Sequence, residues 1–256
     1  MKNSILIIVP TLNSYKLLPK LIKSLENQTS KSWRLIFVDG KSSKKHREYL
    51  EKVSKDYGNI NYVFQDEQNP YIYGAMNIGF NLVKPNEWFL FWGSDDWAYS
   101  KYVIEDLVKI INNPNYKKKD LIFNEALYVN TNNKKGRKAS FKIINNLRFS
   151  LFLGFSPPHQ GCLFSPNSLK KKNYYNNNYC LASDLDYFLS ISKYKGLEAI
   201  NLNKVIVKMR KGGASGLSLK NRVHEVFSIY KKEFGILFII PFFLRYCFRI
   251  FQYLKK

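Results

Sequence analysis

The sequence predicts an α/β fold with a mainly parallel central sheet flanked by helices, ending in an aromatic and basic helical segment. Three observations point there. Short apolar, β-branched runs alternate with helix-period patterns through the first half of the chain. Several of these runs end in acidic residues, although 41 Lys and Arg stand against 19 Asp and Glu. Beyond residue 217 the composition turns to Phe, Tyr, Ile, Lys and Arg.

Ile5 to Val9 reads as the first strand. Its five apolar residues, after a single lysine and before Pro10, are too short for a secretory signal core. Leu17, Leu18, Leu21, Ile22 and Leu25 mark one face of a helix. Strand two, Leu35 to Val38, is entered from Trp33 and closed by "DGKSS", a turn glycine with hydroxyls suited to capping the next helix, "REYLEKVSKDY". Asn61 to Phe64 is a third strand, "GAMNIGFNLV" a third helix, and Glu87 to Trp92 a fourth strand that delivers "FWGSDDW".

After Tyr99 come a helix over Val103 to Ile111, a strand over Leu121 to Val129 and a polar basic stretch, "NTNNKKGRK", that reads as a hairpin tip or mobile loop. Then follow "PPHQGCLF", an Asn/Tyr/Lys-rich loop near 170 to 179, a helix opening at "SDLDYFLSI", a strand "KVIVKM" and the glycine-rich turn "RKGGASG". The apolar run 234 to 244 contains Pro241 and falls short of the ~20 residues that cross a bilayer.

A chain of 256 residues, 45% hydrophobic, suits one large domain or a domain with a small appendage and excludes a disordered or fibrous protein. A net charge of +22 favours a polyanionic partner such as nucleic acid, anionic lipid or a phosphorylated substrate. Cys162, Cys180 and Cys247 are odd in number and widely spaced, which fits neither a disulfide framework nor a thiolate zinc site and points to a reducing compartment. His46, His159 and His224 are too scattered for a metal site, and His159 beside two prolines reads as a packed loop residue.

Ligands of open α/β sheets bind outside the carboxyl ends of the strands. Asp39 follows strand two, Asp66 and Glu67 follow strand three, and Asp95 and Asp96 follow strand four. Any one of these alone reads as an ordinary turn residue. Several like charges on one edge repel unless a cation or a donor-rich ligand offsets them. Mg²⁺ or Mn²⁺, held by one or two carboxylates with phosphate oxygens and water, would do so. Adjacent carboxylates can divide the work, one on a ribose hydroxyl and one on the metal, and such a site suits a nucleoside diphosphate.

"IIVPTLNS", "IFVDGKSS", "YIYGAMNIGF" and "FWGSDDW" resemble, in order and spacing, the nucleotide-binding half of a bacterial family-2 glycosyltransferase of the GT-A fold. "HQGCLFS", "ASDLDYFLSIS" and "GGASG" extend the resemblance over roughly residues 3 to 216. It implies a catalytic domain over 1–216, with a nucleotide-binding half (1–99) and an acceptor half (100–216), and a helical extension over 217–256. It also implies that Pro10, Thr11 and Asn13 line a base pocket in which Asp39 accepts a hydrogen bond from a uracil-like base. Gly93, Ser94 and Asp95 would meet the nucleotide, Asp95 on the ribose side, while Asp96 holds the metal and Asn77 lines the donor pocket. Asp184 matches the family's general base; the competing readings are a helix N-cap at Ser183 and Asp184, and Asp186 as the base, which two residues on must face elsewhere.

The chain departs from the family pattern at Lys44, Gly74 and Ser183, where carboxylates are common; Gly74 leaves the donor sugar open. The implied reaction is an inverting, Mn²⁺- or Mg²⁺-dependent transfer from a nucleotide-diphosphate sugar, UDP-linked, to a polyprenyl-diphosphate-linked glycan or growing surface polysaccharide of the lipopolysaccharide or capsule type. The expected location is cytoplasmic, peripheral on the inner face of the cell membrane.

A sugar-phosphate nucleotidyltransferase would need a glycine-rich phosphate loop after strand one, and "PTLNSYKLLPK" has no glycine. A basic nucleic-acid-binding protein would explain the charge but not the acidic strand ends, and nucleic acid is not expected as a partner. From residue 201 onward twelve Lys and Arg face two Glu, and Arg245 and Arg249 fall on one helix face. That segment reads either as an interfacial helix on anionic lipid or as a helix packing its aromatics on the domain with its cations in solvent.

Overall fold

The computed structural model describes residues 3–68, 70–129, 135–210 and 218–254. Its first half is a run of parallel strands joined by helices: β1 (Ser4–Thr11), α1 (Leu18–Glu26), β2 (Trp33–Asp39), α2 (Lys44–Asp56), β3 (Ile60–Phe64), α3 (Tyr71–Phe80) and β4 (Glu87–Phe91). The period-two pattern of β1 sorts its side chains to two apolar layers. Ile5, Ile7 and Val9 pack with α1, α2 and α4 (Val103–Asn112), whereas Leu6 and Ile8 pack with α3 and the helices of the second half.

The second half adds β5 (Trp97–Ala98), β6 (Leu121–Val129), β7 (Lys135–Ala139), α5 (Leu147–Phe152), β8 (Cys162–Phe164), α6 (Ser183–Ile191), β9 (Ala199–Arg210), α7 (Leu219–Phe234) and α8 (Ile239–Leu254). Among the described residues the strands form one sheet of order β3-β2-β1-β4-β8-β6-β9-β5, with β7 also pairing β6. Strands β3, β2, β1 and β4 run parallel, β8 is antiparallel to β4 and β6, and β9 is parallel to β6. The chain leaves β1 towards β2 and β3, then crosses back to place β4 on the other side of β1. This reversal opens a crevice at the carboxyl ends of β1 and β4, where Thr11 and "GSDD" lie.

Two expectations need correction. Ser43 occupies the N-cap of α2, yet its side chain makes no capping bond; the Ser42 hydroxyl instead accepts from the Asn13 amide (2.8 Å) and the Asn13 side chain accepts from the Ser43 amide (2.8 Å). These hydroxyl and amide groups tie the β1 and β2 loops together rather than start a helix.

The second concerns α8, which packs aromatics on the domain as one of the two readings had it but buries a cation there as well. Gly154, at φ +83°, lets the α8 backbone approach so closely that a Cβ there would sit 2.5 Å from the Arg245 nitrogen. Phe155 stacks on Phe248 at 4.8 Å, and Arg245 is buried. Ile236, Leu237, Ile239, Ile240 and Phe243 are the exposed groups. No described helix is long and apolar enough to cross a membrane. "GGASG" and residues 130–134 lie outside the described residues, while β6 and β7 pair antiparallel on either side of the latter.

Candidate active site

The crevice is built from strand ends. Trp92, just past β4, donates its backbone amide to Ile8 O (3.1 Å) and its indole N–H to Gln160 O (3.1 Å), which fixes where the chain turns out of the sheet. The turn closes with Asp96 N donating to Gly93 O (3.1 Å) and Gly93 N donating to Asp96 Oδ2 (2.6 Å). A larger residue at 93 would displace the two carboxylates. A Cβ would stand 2.9 Å from Asp95 Oδ1 and 3.1 Å from Asp96 Oδ2.

Asp96 is buried and Asp95 half-buried, as is Ser94. Burial pushes the Asp96 carboxyl well above the usual carboxylate range, and the charge of Asp95 pushes it further against the single Gly93 amide. Burial raises Asp95 too, opposed by a bond within its own residue and by the charge of Arg210 at the end of β9. The pair is therefore a place where negative charge is costly unless a cation joins it.

Glu67 and Asp39, at two other strand ends, have basic neighbours. Glu67 pairs with Lys41 at 2.5 Å on the surface. Asp39 is fully buried; Oδ1 lies 3.4 Å from His46 Nε2, and Oδ2 is 3.4 Å from Arg47 Nε and accepts from Ser42 N (3.2 Å). Burial holds His46 below its ordinary pKa although Asp39 pulls the other way. The acidic ends thus do not converge on one point, and among the described residues no group of three His, Cys, Asp or Glu could hold a metal.

Thr11 faces Asp39 across the β1/β2 register, and Thr11 Oγ1 and Asp39 Oδ1 are both buried without a hydrogen-bond partner. A hydroxyl and a carboxylate oxygen left unpaired at adjoining strand ends are costly unless a ligand reaches them. Pro10 is half-buried and Asn13 exposed, with Asn13, Lys41 and Tyr71 all at positive φ (51°, 59° and 61°). Such backbone in bulky residues clusters at functional sites. A cavity of about 270 Å³ opens beside them, lined by Gly40, Lys41, Gln65, Asp66, Pro70 and Tyr71 among others.

From the other half, α6 brings two aspartates to different surroundings. Its N-cap is Ala182, so Ser183 and Asp184 are the first helical residues and the N-cap reading of that pair is not what the fold uses. Asp184 is half-buried, and its Oδ1 accepts from Tyr73 Oη (3.2 Å) and Leu185 N (2.9 Å). Asp186 is buried and paired with Lys232 Nζ at 3.0 Å. His159, stacked on Phe91, shares a 2.7 Å hydrogen bond with Tyr175 Oη, and burial holds it neutral with a pKa of about 4.

Asn77 does not sit free to meet a ligand. Its amide donates to Tyr175 O (2.9 Å) and Asn177 Oδ1 (3.0 Å) and accepts from Tyr175 N (2.6 Å), so it locks α3 to the loop before α6. Sequence reasoning missed Glu225 on α7. Its carboxylate accepts from the amides of Cys180 (2.9 Å), Leu181 (2.8 Å) and Ala182 (2.9 Å), holding the loop that launches α6. The available signal was the first of two glutamates in a segment otherwise dominated by Lys and Arg.

The sequence profile of glycosyl transferase family 2 matches residues 6–171, more than half of the chain. The chain belongs to glycosyl transferase family 2. Among named members of known sequence, it is 29% identical over 126 residues to the PGL/p-HBAD biosynthesis glycosyltransferases of Mycobacterium bovis and Mycobacterium tuberculosis, covering 49% of this chain and 48% of theirs. It thus spans about half the length of those relatives.

This family-2 glycosyltransferase chain also shares its fold with the S. aureus TarS 1–349 complex with UDP-GlcNAc, at a TM-score of 0.67 and 18% identity, covering 89% of this chain and 65% of that one. The mannosyltransferase PcManGT from Pyrobaculum calidifontis, solved with GDP-Man and Mn²⁺, gives a TM-score of 0.65 at 14% identity, covering 95% and 70%. The fold is therefore that of the GT-A glycosyltransferases.

The chemistry of the Asp95/Asp96 pair fits a hard divalent cation. Two adjacent carboxylates, both raised by burial and one raised further by the other, gain from a cation, and Mg²⁺ or Mn²⁺ takes one or two protein carboxylates with phosphates and water completing its shell. Asp96 would hold it through the oxygen that Gly93 leaves unused.

Proposed function

We propose that this chain is an inverting, metal-dependent glycosyltransferase that moves a sugar from a nucleoside-diphosphate donor, a UDP-sugar, to a lipid-linked or growing surface-polysaccharide acceptor. The observation that carries the reading is the division among three carboxylates: burial raises Asp95 and Asp96 at the switch point, and Asp184, on α6, has no ion pair among the described residues.

In this reading Pro10, Thr11, Asn13 and Asp39 receive the base, and the orphaned Thr11 Oγ1 and Asp39 Oδ1 gain partners. Asp95 meets the ribose. The narrow Gly93–Ser94 backbone lets the diphosphate lie against the turn. Asn77 serves by fixing the loop at 175–177 that borders the donor side.

Asp184 takes the proton of the acceptor hydroxyl as that oxygen bonds to the anomeric carbon, while the bond from that carbon to the diphosphate oxygen breaks and the nucleoside diphosphate leaves. Tyr73, donating to Asp184 Oδ1, orients the carboxylate, and Glu225 holds the loop on which it is mounted. A metal ion, when bound by Asp96, would neutralise charge on the departing diphosphate. One face presents Ile236, Leu237, Ile239, Ile240 and Phe243 to solvent on a chain of net charge +22; that apolar patch on a cationic protein fits an anionic bilayer surface.

A panel of nucleotide sugars, read by release of nucleoside diphosphate with Mn²⁺ present, tests the reading. Metal-dependent turnover of at least one UDP-sugar is expected; release from none of the panel would overturn it.

A further inference from the structure

Beneath α8 lies a cluster of cations that, among the described residues, form no salt bridge. Arg245 is 4% exposed, yet its Nε and Nη1 are buried and make no hydrogen bond. Arg222 Nε on α7 and Tyr246 Oη beside it are in the same state. Among the described residues none of Arg222, Arg245 and Arg249 has a salt bridge, and no residue outside the description is Asp or Glu.

The groups act on one another. All three guanidiniums bear on Tyr246, and Arg249 sits 5.9 Å over its ring. Burial, together with Arg245 and Arg222, holds Arg249 down to about 10. An unpaired buried guanidinium such as that of Arg245 is costly, and half-buried guanidiniums nearby that repel it raise the cost. Guanidiniums and a phenol with open donors match the oxygens of a phosphate dianion.

The cluster lies within electrostatic reach of Asp184. The charge of Asp184 is felt at Arg249, and that of Arg222 at Tyr73, the residue hydrogen-bonded to Asp184. The charge felt at Asp95 is that of Arg210 instead.

We propose that Arg222, Arg245, Arg249 and Tyr246 bind the phosphate or diphosphate group of the acceptor. The assignment to the acceptor rests on the transferase reading, in which Asp184 deprotonates the acceptor hydroxyl. An anion held beside that base belongs to a molecule whose accepting hydroxyl lies close to its phosphate. The substrate class is therefore a short, lipid-linked sugar phosphate or diphosphate rather than the remote end of a long polymer.

Calorimetric titration of the full chain with geranyl diphosphate, with geraniol, and separately with UDP plus Mn²⁺ tests this. Wild type is expected to bind geranyl diphosphate at least tenfold more tightly than geraniol. Arg245→Gln and Arg222→Gln should each weaken it tenfold or more, leave UDP binding unchanged and, because an unpaired buried charge is removed, leave the melting temperature equal or higher. Should Arg245→Gln not fold, the half-buried Arg249→Gln and Arg222→Gln carry the same comparison.

Equal affinity for geranyl diphosphate and geraniol, or unchanged diphosphate binding in the variants, would overturn the site. Equal loss of UDP binding would move the anion to the donor and overturn the acceptor assignment. Failure of wild type to bind UDP with Mn²⁺ strikes the transferase reading instead, and so is distinguishable.

Discussion

Lys232 Nζ lies 3.0 Å from Asp186 Oδ1, and this ion pair separates the two aspartates of α6. Asp186 is committed to α7, whereas Asp184 accepts hydrogen bonds from Tyr73 and a backbone amide of its own helix and has no ion pair among the described residues. Asp184→Asn is therefore expected to cost about 10²–10⁴-fold in turnover with UDP binding intact. Asp186→Asn should keep turnover within a few-fold and lose about 1 kcal/mol of stability, since Lys232 is half exposed. Single-turnover donor cleavage and thermal melts on both variants separate the roles.

Asp96→Asn should raise stability and remove metal response together. A carboxyl whose folded pKa is raised binds protons more readily folded than unfolded, so its contribution is greatest below the unfolded value near 3.8 and falls as pH rises towards the folded value. At pH 7 the buried ionisable carboxyl is a net cost relative to the unfolded chain, which asparagine removes while keeping an acceptor for Gly93 N. A melting temperature a few degrees above wild type, with no further rise on adding Mn²⁺ and UDP, is the expected result.

Acid should destabilise the fold through His159. Its pKa of about 4 lies below the ordinary 6.5, so the neutral folded form contributes stability that is complete above 6.5 and lost as pH falls from there to about 4. The contribution is about 3 kcal/mol. Urea denaturation at pH 7.5 and 4.5 should show a loss that is smaller in His159→Gln, which carries no titrating ring.

Glu225→Ala leaves three backbone amides at 180–182 without their acceptor. A loss on the order of 2–4 kcal/mol is expected. Because the loop mounts Asp184, kcat should fall while the donor KM stays within a few-fold, a split that steady-state kinetics below the melting range will reveal.

Replacing Ile236, Ile239 and Phe243 with serine together should release the chain from anionic liposomes without lowering its melting temperature, since all three are exposed. Co-sedimentation measures this; unchanged partition would remove the membrane surface from the account.

The sequence made the first half legible because buried strands and helix faces carry strong periods. Leu121 to Val129 and the helix opening at Ser183 fall where their patterns place them, and the reversal at β1 puts "GSDD" in the crevice. Elements too short to show a period stayed hidden: α5 has six residues, β8 three and β5 two. Pairings set by tertiary contact also leave no local trace, as with His46 and Arg47 on Asp39 or Glu225 on the loop at 180–182. The polarity of α8 misleads because arginines ordinarily face water, and here Arg245 faces inward.

The most direct measurement is the melting temperature of the full chain with UDP alone, with Mn²⁺ alone and with both. A metal-completed nucleotide site predicts little change with either alone and a rise of about 5–10 °C with both at a hundredfold excess over Kd. No rise with both, or the same rise with UDP whether or not Mn²⁺ is present, would contradict a metal-dependent nucleotide-sugar site at Asp95 and Asp96.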